Sequence, residues 1–322
     1  MARDTDGATG EVVIECSGLR KNFGALIAVQ DVRLSLRRGQ VLGLVGPNGA
    51  GKTTLMRMLA TLLHPTRGDV RVFGLDALAD PISVRRRIGY LPDFFNLHRD
   101  LTLAECLRFF AHAYAVPLDA IPQRVHGSLE ATGLLEKQDD FVRHLSRGMV
   151  QRLGMAMLMT RDADIMILDE PASGLDPNSR VQLRRLLKDL GRQGKAILIS
   201  SHILNELEDA CTHMAIMDRG RLIVEGTIEE IRRKAIAGLR YRIRFLGTPE
   251  AALAAANRVG AVQVQVDQGN LTVEVTDEEH IARINAALVA GGIPIIELRL
   301  LSDLEDAFVK ITTGEEVDHD AE

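Results

Sequence analysis

Residues 46–53 of this sequence have the types and the spacing needed to bind phosphate. They read Gly46-Pro47-Asn48-Gly49-Ala50-Gly51-Lys52-Thr53 and match the pattern G-x-x-x-x-G-K-[ST]. Glycines allow backbone N–H groups to curl around phosphate oxygens, because they carry no Cβ. We expect Lys52 to reach the β- and γ-phosphates of a nucleotide and the Thr53 hydroxyl to bind Mg²⁺. By itself the segment predicts a site for a nucleoside triphosphate and its metal.

A pair of acidic residues, Asp169 and Glu170, directly follows the apolar run at residues 165–168. Successive side chains of a strand point to opposite sides, so the two carboxylates can have different roles. We expect Asp169 to hold the Mg²⁺ and Glu170 to orient and deprotonate an attacking water. The alternative is a solvated acidic turn, but an apolar strand that ends in two acids favours the catalytic interpretation.

The elements around these residues predict a parallel sheet. An apolar run at residues 41–45 precedes the glycine-rich loop, and a helix predicted over residues 51–63 follows it, ending before Pro65. The helix would direct the positive end of its dipole at the bound phosphates. Further apolar strands at residues 165–168 and 196–200 are joined by a helix over residues 179–190. Apolar strands that alternate with helices are typical of a sheet covered on both faces.

The rhythm changes near residue 239, where a second domain is predicted. Residues 241–245 alternate as a half-buried strand, and two further strands face each other across a turn at residues 267–270. The order resembles a split β-α-β unit and predicts a small α+β domain over residues 239–312. The larger domain is expected over residues 11–235. Polar tails are expected at residues 1–10 and 313–322.

Bulk composition excludes several classes of function. The net charge of -5 and the pI near 6.0 offer no general attraction for nucleic acid. The three cysteines are scattered, so we expect them to be buried small hydrophobes in a reducing cytoplasm. No run of residues approaches the ~18 apolar positions of a membrane span. We therefore expect a soluble chain that can serve a membrane only through a partner.

Five motifs, in order along residues 12–235, resemble those of the ABC ATPase family. Leu145-Ser146-Arg147-Gly148-Met149 is similar to the family's signature loop, whose usual form is L-S-G-G-Q. A lone Phe23 or His202 is more often structural, but the ordered spacing favours a functional role for both. Two of the other four motifs are Asn22-Phe23-Gly24, which resembles the family's site for an aromatic ring stacked on adenine, and residues 88–93, which resemble the run ending at the family's glutamine switch. The last two are Ser173-Gly174-Leu175-Asp176, similar to the family's loop that crosses to a second subunit, and Ser200-Ser201-His202, similar to the segment with the family's switch histidine.

The resemblance implies a fold and an assembly. The fold would be α/β, a P-loop NTPase (RecA-like) core with an antiparallel β subdomain and a helical insert at residues 94–160. Two modules would sandwich two ATP molecules, and each site would combine Lys52 of one chain with Ser146 and Gly148 of the other. Ser146 is a good N-cap, and its helix would aim exposed N–H groups at the γ-phosphate. Because only one such loop is present here, the second module must come from another chain, most simply an identical copy.

The resemblance also implies roles for individual residues with ATP and Mg²⁺ as cofactors. The expected catalytic residues are Glu170, His202 and Lys52. The expected Mg²⁺ ligands are Thr53, Asp93 and Asp169. The expected nucleotide-binding residues are Phe23, Gly46, Pro47, Asn48, Gly49, Ala50, Gly51, Lys52, Thr53, Thr54, Ser146, Gly148 and Asp176.

Three positions depart from the family's usual residues. Arg147 and Met149 replace Gly and Gln in the signature loop, and Asp93 replaces the Gln of the switch. Gly148 still permits close backbone approach, so the nucleotide sandwich is retained as the expectation. Arg147 adds a fixed charge near a phosphate site, and our hypothesis is that it tunes turnover without being essential. Asp93 can still bind Mg²⁺ as a hard oxygen donor.

The motif combination is similar to that of bacterial ATPases serving two-component exporters, whose membrane half is a separate protein. It implies an ATPase that energises export through a permease from the cytoplasmic face of the membrane. The alternative is a soluble ABC-type ATPase acting on ribosomes or in DNA repair, but the paired modules and long coiled coils of those proteins are not present. Another P-loop enzyme, such as a kinase, is disfavoured by the signature segment and by the loop at Asp176.

Overall fold

Alternating buried and exposed side chains at the start of the chain form an antiparallel sheet in the computed structural model. The structure describes residues 10–203, 207, 209–235, 239–267, 269–275 and 277–300. The sheet has the order β2-β1-β4-β5. It consists of β1 (Val12–Phe23), β2 (Leu26–Arg37), β4 (Arg67–Val72) and β5 (Leu75–Asp76). This is the antiparallel β subdomain that the family resemblance implied.

A second sheet carries the apolar strands. Its order is β10-β9-β3-β8-β7-β6, and all of its strands are parallel except β10, which pairs antiparallel with β9. Every residue of β3, β7 and β8 is buried, as predicted for a sheet covered on both faces. The six strands are β3 (Val41–Val45), β6 (Ile88–Leu91), β7 (Ile165–Leu168), β8 (Ala196–Ser201), β9 (His213–Asp218) and β10 (Arg221–Thr227).

Helices α1 (Lys52–Leu59), α2 (Pro81–Arg87) and α6 (Pro177–Arg192) accompany these sheets. The prediction that the first helix continues to residue 63 was wrong, because the chain turns at Thr61, whose φ is 59°. The predicted start of α6 at residue 179 was also wrong. Its N-cap is Asp176, whose carboxylate accepts a hydrogen bond from the Ser179 N–H at 3.0 Å.

The helical insert contains α3 (Leu103–Ala113), α4 (Ile121–Ala131) and α5 (Arg147–Arg161), with short 3₁₀ turns at Leu135–Lys137 and Val142–His144. A capping box of Thr102 and Glu105 begins α3, and the Ser146 hydroxyl caps α5 by accepting from the Met149 N–H. The insert buries a hydrophobic core of its own around Leu107, Leu129 and Leu153. Each of its three helices therefore has a packed inner face.

The chain divides into two compact units that meet at Ile228 and Glu229, earlier than the boundary expected near residue 235. The second unit contains most of α7 (Ile228–Ala235), which begins at this boundary. It then alternates as β11 (Leu239–Phe245), α8 (Pro249–Arg258), β12 (Val262–Asp267), β13 (Asn270–Val275), α9 (Glu278–Ala290) and β14 (Ile295–Leu300).

The second unit's sheet has the order β12-β13-β11-β14, with every pairing antiparallel, and one face packs on α8 and α9 through residues such as Ile243, Val273 and Ile284. This matches the predicted split β-α-β unit. The expected acidic tail at residues 313–322 lies outside the described residues, as does the N-terminal tail apart from Gly10. None of the helices described here combines the length and the apolar composition of a membrane span.

The three cysteines are buried and unpaired with one another, as expected from their spacing. Burial raises the pKa of Cys16 and Cys211 to about 12 and that of Cys106 to about 11. A thiol attacks electrophiles only as the thiolate. We therefore expect folded protein at pH 8 to resist iodoacetamide, and all three thiols to react in guanidinium. An Ala79→Cys variant, with its new thiol on the surface, is the positive control, and rapid loss of any native thiol would contradict this prediction.

Candidate active site

Four adjacent strands of the parallel sheet deliver the predicted site residues to one edge. The phosphate loop follows β3, and His202 follows β8, its neighbour in the sheet. Asp169 and Glu170 follow β7, and the segment with Asp93 follows β6. The carboxyl ends of parallel strands meet at one edge, which is where such sheets bind ligands. The sheet order therefore brings together residues that are far apart in sequence.

The loop between β3 and α1 has a backbone that requires glycine. Gly49 and Gly51 have φ values of 84° and 104°, in the left-handed region. A Cβ at Gly51 would lie 2.3 Å from the Ala28 carbonyl oxygen, so no larger residue fits. The loop leads directly into α1, whose first N–H groups lack partners within the helix. This geometry fits the phosphates of a nucleotide.

Lys52 is the buried cation of this loop, with 6% of its surface exposed. Its Nζ donates to the Gly46 carbonyl oxygen at 2.6 Å and lies 3.3 Å from that of Pro47. It also lies 3.4 Å from Glu170 Oε1. These contacts hold the ammonium group between the loop carbonyls and the Glu170 carboxylate.

Asp169 is almost fully buried, at 2% exposure, and accepts hydrogen bonds from three sides. Thr53 Oγ1 donates to its Oδ1 at 3.1 Å, and Ser200 Oγ donates to the same oxygen at 2.9 Å. The Tyr90 hydroxyl donates to Oδ2 at 3.4 Å. The predicted metal ligands Thr53 and Asp169 are thus in direct contact. A hydroxyl beside a carboxylate is the hard-oxygen donor set that Mg²⁺ prefers.

Glu170 is held in an unusual backbone conformation next to Lys52 and His202. Its φ of 49° lies in the left-handed region, which is uncommon for a residue other than glycine and clusters at active sites. Its Oε2 lies 2.8 Å from His202 Nδ1, and its Oε1 is the partner of Lys52. Its backbone N–H donates to Ser200 Oγ at 2.9 Å. The structure therefore brings the three predicted catalytic residues together around one carboxylate.

Asp93 reaches the same region from β6. Burial raises the pKa of its carboxyl, Arg147 opposes that shift, and the negative charges of Glu170 and Asp169 add to it. Among the described residues its buried Oδ1 has no hydrogen-bond partner, although Arg147 Nη2 lies 3.7 Å away. A buried carboxylate oxygen with spare acceptor capacity is consistent with a cation binding here.

A cleft of about 590 Å³ runs along this edge of the sheet. Phe23 lines this cleft with 49% of its surface exposed, and Lys21 Nζ lies 5.2 Å from the centre of its ring. An exposed aromatic face of this kind can stack on a planar base. The cleft is lined by Phe23, Leu26, Ile27, Ala28, residues 48–54, Asp93, Glu170 and Arg219.

Five predicted nucleotide-binding residues do not line this cleft in the part of the chain that the structure describes: Gly46 and Pro47, at the start of the loop, and Ser146, Gly148 and Asp176. Ser146 and Gly148 begin α5, where a Cβ on Gly148 would lie 3.2 Å from Leu175. Asp176 caps α6, and hydrogen bonds from the Ser179 hydroxyl and N–H lower the pKa of its carboxyl. Within one chain, the cleft is therefore formed without the signature loop.

Sequence reasoning assigned no role to Ser200, Tyr90 or Arg219. The Ser200 hydroxyl bridges Asp169 and Glu170, since it donates a hydrogen bond to the Asp169 carboxylate and accepts one from the Glu170 N–H. Ser200 lies at the end of the apolar strand β8, but its importance becomes visible only once β8 is known to pair with β7. The contact of Tyr90 likewise becomes visible only once β6 is known to pair with β7. Nothing in the sequence marks Arg219, which reaches the cleft from the turn after β9.

Comparison with known proteins matches this geometry to a family. The family model for ABC transporters matches residues 29–173. Nod factor export ATP-binding protein I of Ralstonia nicotianae is 38% identical over 219 residues, which cover 68% of this chain and 68% of the relative. The chain belongs to the ABC transporter ATPase family. A relative of the same name from Burkholderia orbicola is 33% identical over 302 residues, 94% of this chain and 97% of the relative.

A solved structure of an ATP-binding subunit of an ABC transporter has the same fold as this ABC ATPase. It superposes with a TM-score of 0.64 at 32% identity, covering 69% of this chain and 92% of the other. These findings confirm the predicted P-loop NTPase fold. As a member of the family, the chain binds ATP and couples ATP hydrolysis to transport.

The double contact of Ser200 predicts a loss of turnover when its hydroxyl is removed. In Ser200→Ala, the Glu170 N–H and Asp169 Oδ1 each lose a buried partner, which typically costs about 1–3 kcal/mol. We expect kcat for ATP hydrolysis to fall roughly tenfold, with a smaller change in KM. The control is Ser201→Ala, whose hydroxyl accepts from the Ile203 N–H. An unchanged kcat in Ser200→Ala would show that the two carboxylates do not depend on this hydroxyl.

Proposed function

We propose that this ABC ATPase powers export through a separate membrane permease, acting from the cytoplasmic face of the membrane. The observation that carries the proposal is the match to proteins named Nod factor export ATP-binding protein I. The longer of the two alignments described above extends over 94% of this chain, so it also includes the second unit.

The cleft is suited to hold ATP with its base at Phe23 and its phosphates in the loop at residues 46–54. Thr53, Asp169 and Asp93 would hold Mg²⁺, which when bound neutralises charge on the β- and γ-phosphates. Phosphate oxygens of the nucleotide and water would complete the coordination, as is usual for Mg²⁺.

Glu170 and His202 would carry out the hydrolysis step. A water between Glu170 and the γ-phosphate would lose its proton to the carboxylate as it attacks phosphorus, and the bond between the γ-phosphorus and the bridging oxygen of ADP would break. His202 Nδ1 holds Glu170 Oε2 in position at 2.8 Å. Lys52 would then exchange its contact with Glu170 for the phosphates, where its charge stabilises the transition state.

A second copy of the chain would complete each site with Ser146 and Gly148. Ser146 caps α5, a 15-residue helix whose first N–H groups have no partner within the helix. Anions bind well at such helix ends, because the dipole and the free donors act together. These residues do not line the cleft of their own chain. In a homodimer, the Ser146 and Gly148 of each chain would instead face the nucleotide bound in the cleft of the other chain.

The permease would contact a row of aromatic rings on the helical insert, formed by His98, Phe109, Phe110 and Tyr114. Successive ring centres are 5.6, 5.3 and 6.3 Å apart, and Phe109 is 49% exposed. Exposed aromatic groups of this size are typical of protein interfaces. We call this row the aromatic ladder.

Replacing Glu170 tests the two-chain site. Glu170→Gln keeps the side-chain size but removes the base, so we expect MgATP to convert the monomer to a stable dimer in light-scattering measurements. Adding Ser146→Arg places a bulky side chain at the start of α5, and this double variant should bind ATP but stay monomeric. A dimer that survives Ser146→Arg would show that the signature loop does not contribute to the second site.

The aromatic ladder predicts where the membrane partner binds. Tagged Glu170→Gln protein should co-purify with membranes and with an integral membrane protein, and adding Phe109→Ser should remove both while leaving the MgATP-dependent dimer intact. Leu62→Ser is the matched control, because Leu62 is also an exposed apolar residue, at 53% exposure, outside the ladder. Protein recovered wholly with ribosomes or in the soluble fraction would reject the transporter role but not the ATPase.

A further inference from the structure

The guanidinium of Arg147 contacts two other loops of its own chain. Its Nη2 donates to Ser173 Oγ at 3.0 Å, in the loop after β7, and lies 3.7 Å from Asp93 Oδ1, in the segment after β6. Its Cζ lies 5.0 Å from the centre of the Phe94 ring. Arg147 itself is the first residue of α5. A single side chain therefore joins the signature loop to the switch segment and to the loop at residues 173–176.

The surroundings of Arg147 are shaped to receive its side chain. A Cβ at Gly174 would lie 2.9 Å from Arg147 Cδ, so the stem of the arginine passes where a larger residue would clash. Gly174 also has a φ of 73°, which favours glycine. One turn along α5, the buried Gln151 donates from Nε2 to the Asp93 carbonyl oxygen at 2.9 Å. Helix α5 thus holds Asp93 through both its backbone and its side chain.

Asp93 lies close to two other acidic residues and to one arginine. It shares its surroundings with Asp169 and Glu170, and its Oδ1 is buried without a hydrogen bond from any described residue. Like charges at short range oppose one another strongly in a partly buried site. Lys52 is engaged by Glu170 and the loop carbonyls, whereas Arg147 lies next to Asp93. The two residues that depart from the family's usual Gln and Gly therefore meet in one contact.

We propose that Arg147 and Asp93 are a coupled pair that clamps the start of α5 to the switch segment and to the loop after β7. Arg147 is a positioning residue, which sets the direction of Ser146 and Gly148 according to the position of Asp93. The clamp thereby links Asp93, an expected Mg²⁺ ligand of one site, to Ser146 and Gly148, which the same chain would contribute to the other site. The effect on turnover rests on the proposed two-chain site, but the clamp itself exists within one chain.

A double-mutant cycle in ATP hydrolysis tests the coupling. The four proteins are the unaltered chain, Arg147→Gly, Asp93→Gln and the double variant, which has the family's usual residues at both positions. We expect Arg147→Gly alone to keep measurable activity with kcat lowered about threefold to tenfold, and to change kcat less than about twofold in the Asp93→Gln background. Binding of a fluorescent ATP analogue to Arg147→Gly should stay within about twofold, since the change acts on position and not on the cleft.

Hydrogen exchange without nucleotide tests the clamp in one chain. Arg147→Gly should speed exchange at residues 147–149 and 173–175 by about threefold or more, and Arg147→Lys should restore part of the protection because it keeps the charge. Arg143→Gly is the matched control. Arg143 also pairs with an aspartate, Asp100 at 2.9 Å, and also lies over an aromatic ring, Phe141 at 4.3 Å, but outside the three loops.

Two results would overturn the proposal. The first is an equal change of kcat on Arg147→Gly in both backgrounds, and the second is unchanged exchange in the two loops or the same change in Arg143→Gly. If the Glu170→Gln protein proves monomeric with MgATP, the two-chain site fails while the exchange measurement still decides whether the clamp exists.

Discussion

The buried carboxylate of Asp169 is the constraint on which the rest of the site depends. At 2% exposure, this carboxylate group is satisfied by hydrogen bonds that Thr53, Ser200 and Tyr90 each donate to it. Those donors come from α1, β8 and β6. All three hydrogen bonds to the carboxylate form only if β6 and β8 pair with β7 in the observed register and α1 begins beside the end of β7. The parallel pairing of β6, β7 and β8 meets this requirement, since it ends all three strands at the same edge.

Charge balance around that carboxylate explains the remaining contacts. Three acids, Asp93, Asp169 and Glu170, converge on one edge of the sheet, and Lys52, His202 and Arg147 lie against them. A cluster of this kind is stable only while each charge has a partner, because the partly buried environment strengthens attraction and repulsion alike. Lys52 and His202 both contact Glu170, and Arg147 is the ion-pair partner of Asp93 in the part of the chain that the structure describes. Binding a triphosphate and Mg²⁺ would redistribute these partners, and this is a physical route from nucleotide binding to loop movement.

Sequence reasoning succeeded where the signal is local. The buried strands at residues 41–45 and 165–168 were predicted with the observed bounds, since a short apolar run ending in chemistry-bearing residues has few other interpretations. The glycine loop and the caps at Thr102 and Ser146 were also local. Local signals failed at helix ends. Pro65 marks where α1 can no longer continue, but the chain leaves the helix earlier through the left-handed Thr61, and Asp176 caps α6 ahead of the residue expected to start it.

Contacts between loops could not be predicted from the sequence. They change the interpretation of the two altered motifs, the signature loop with Arg147 and the switch segment with Asp93. Taken alone, arginine in the signature loop looks like an added charge beside phosphate, and aspartate in the switch looks like a shortened glutamine. The structure places the two side chains 3.7 Å apart, with Gly174 leaving room for the arginine stem. Asp93 without Arg147 would add an unmatched negative charge near Asp169 and Glu170, which is costly in a partly buried site. The departures are therefore better understood as one change in a three-loop contact than as two weakened motifs.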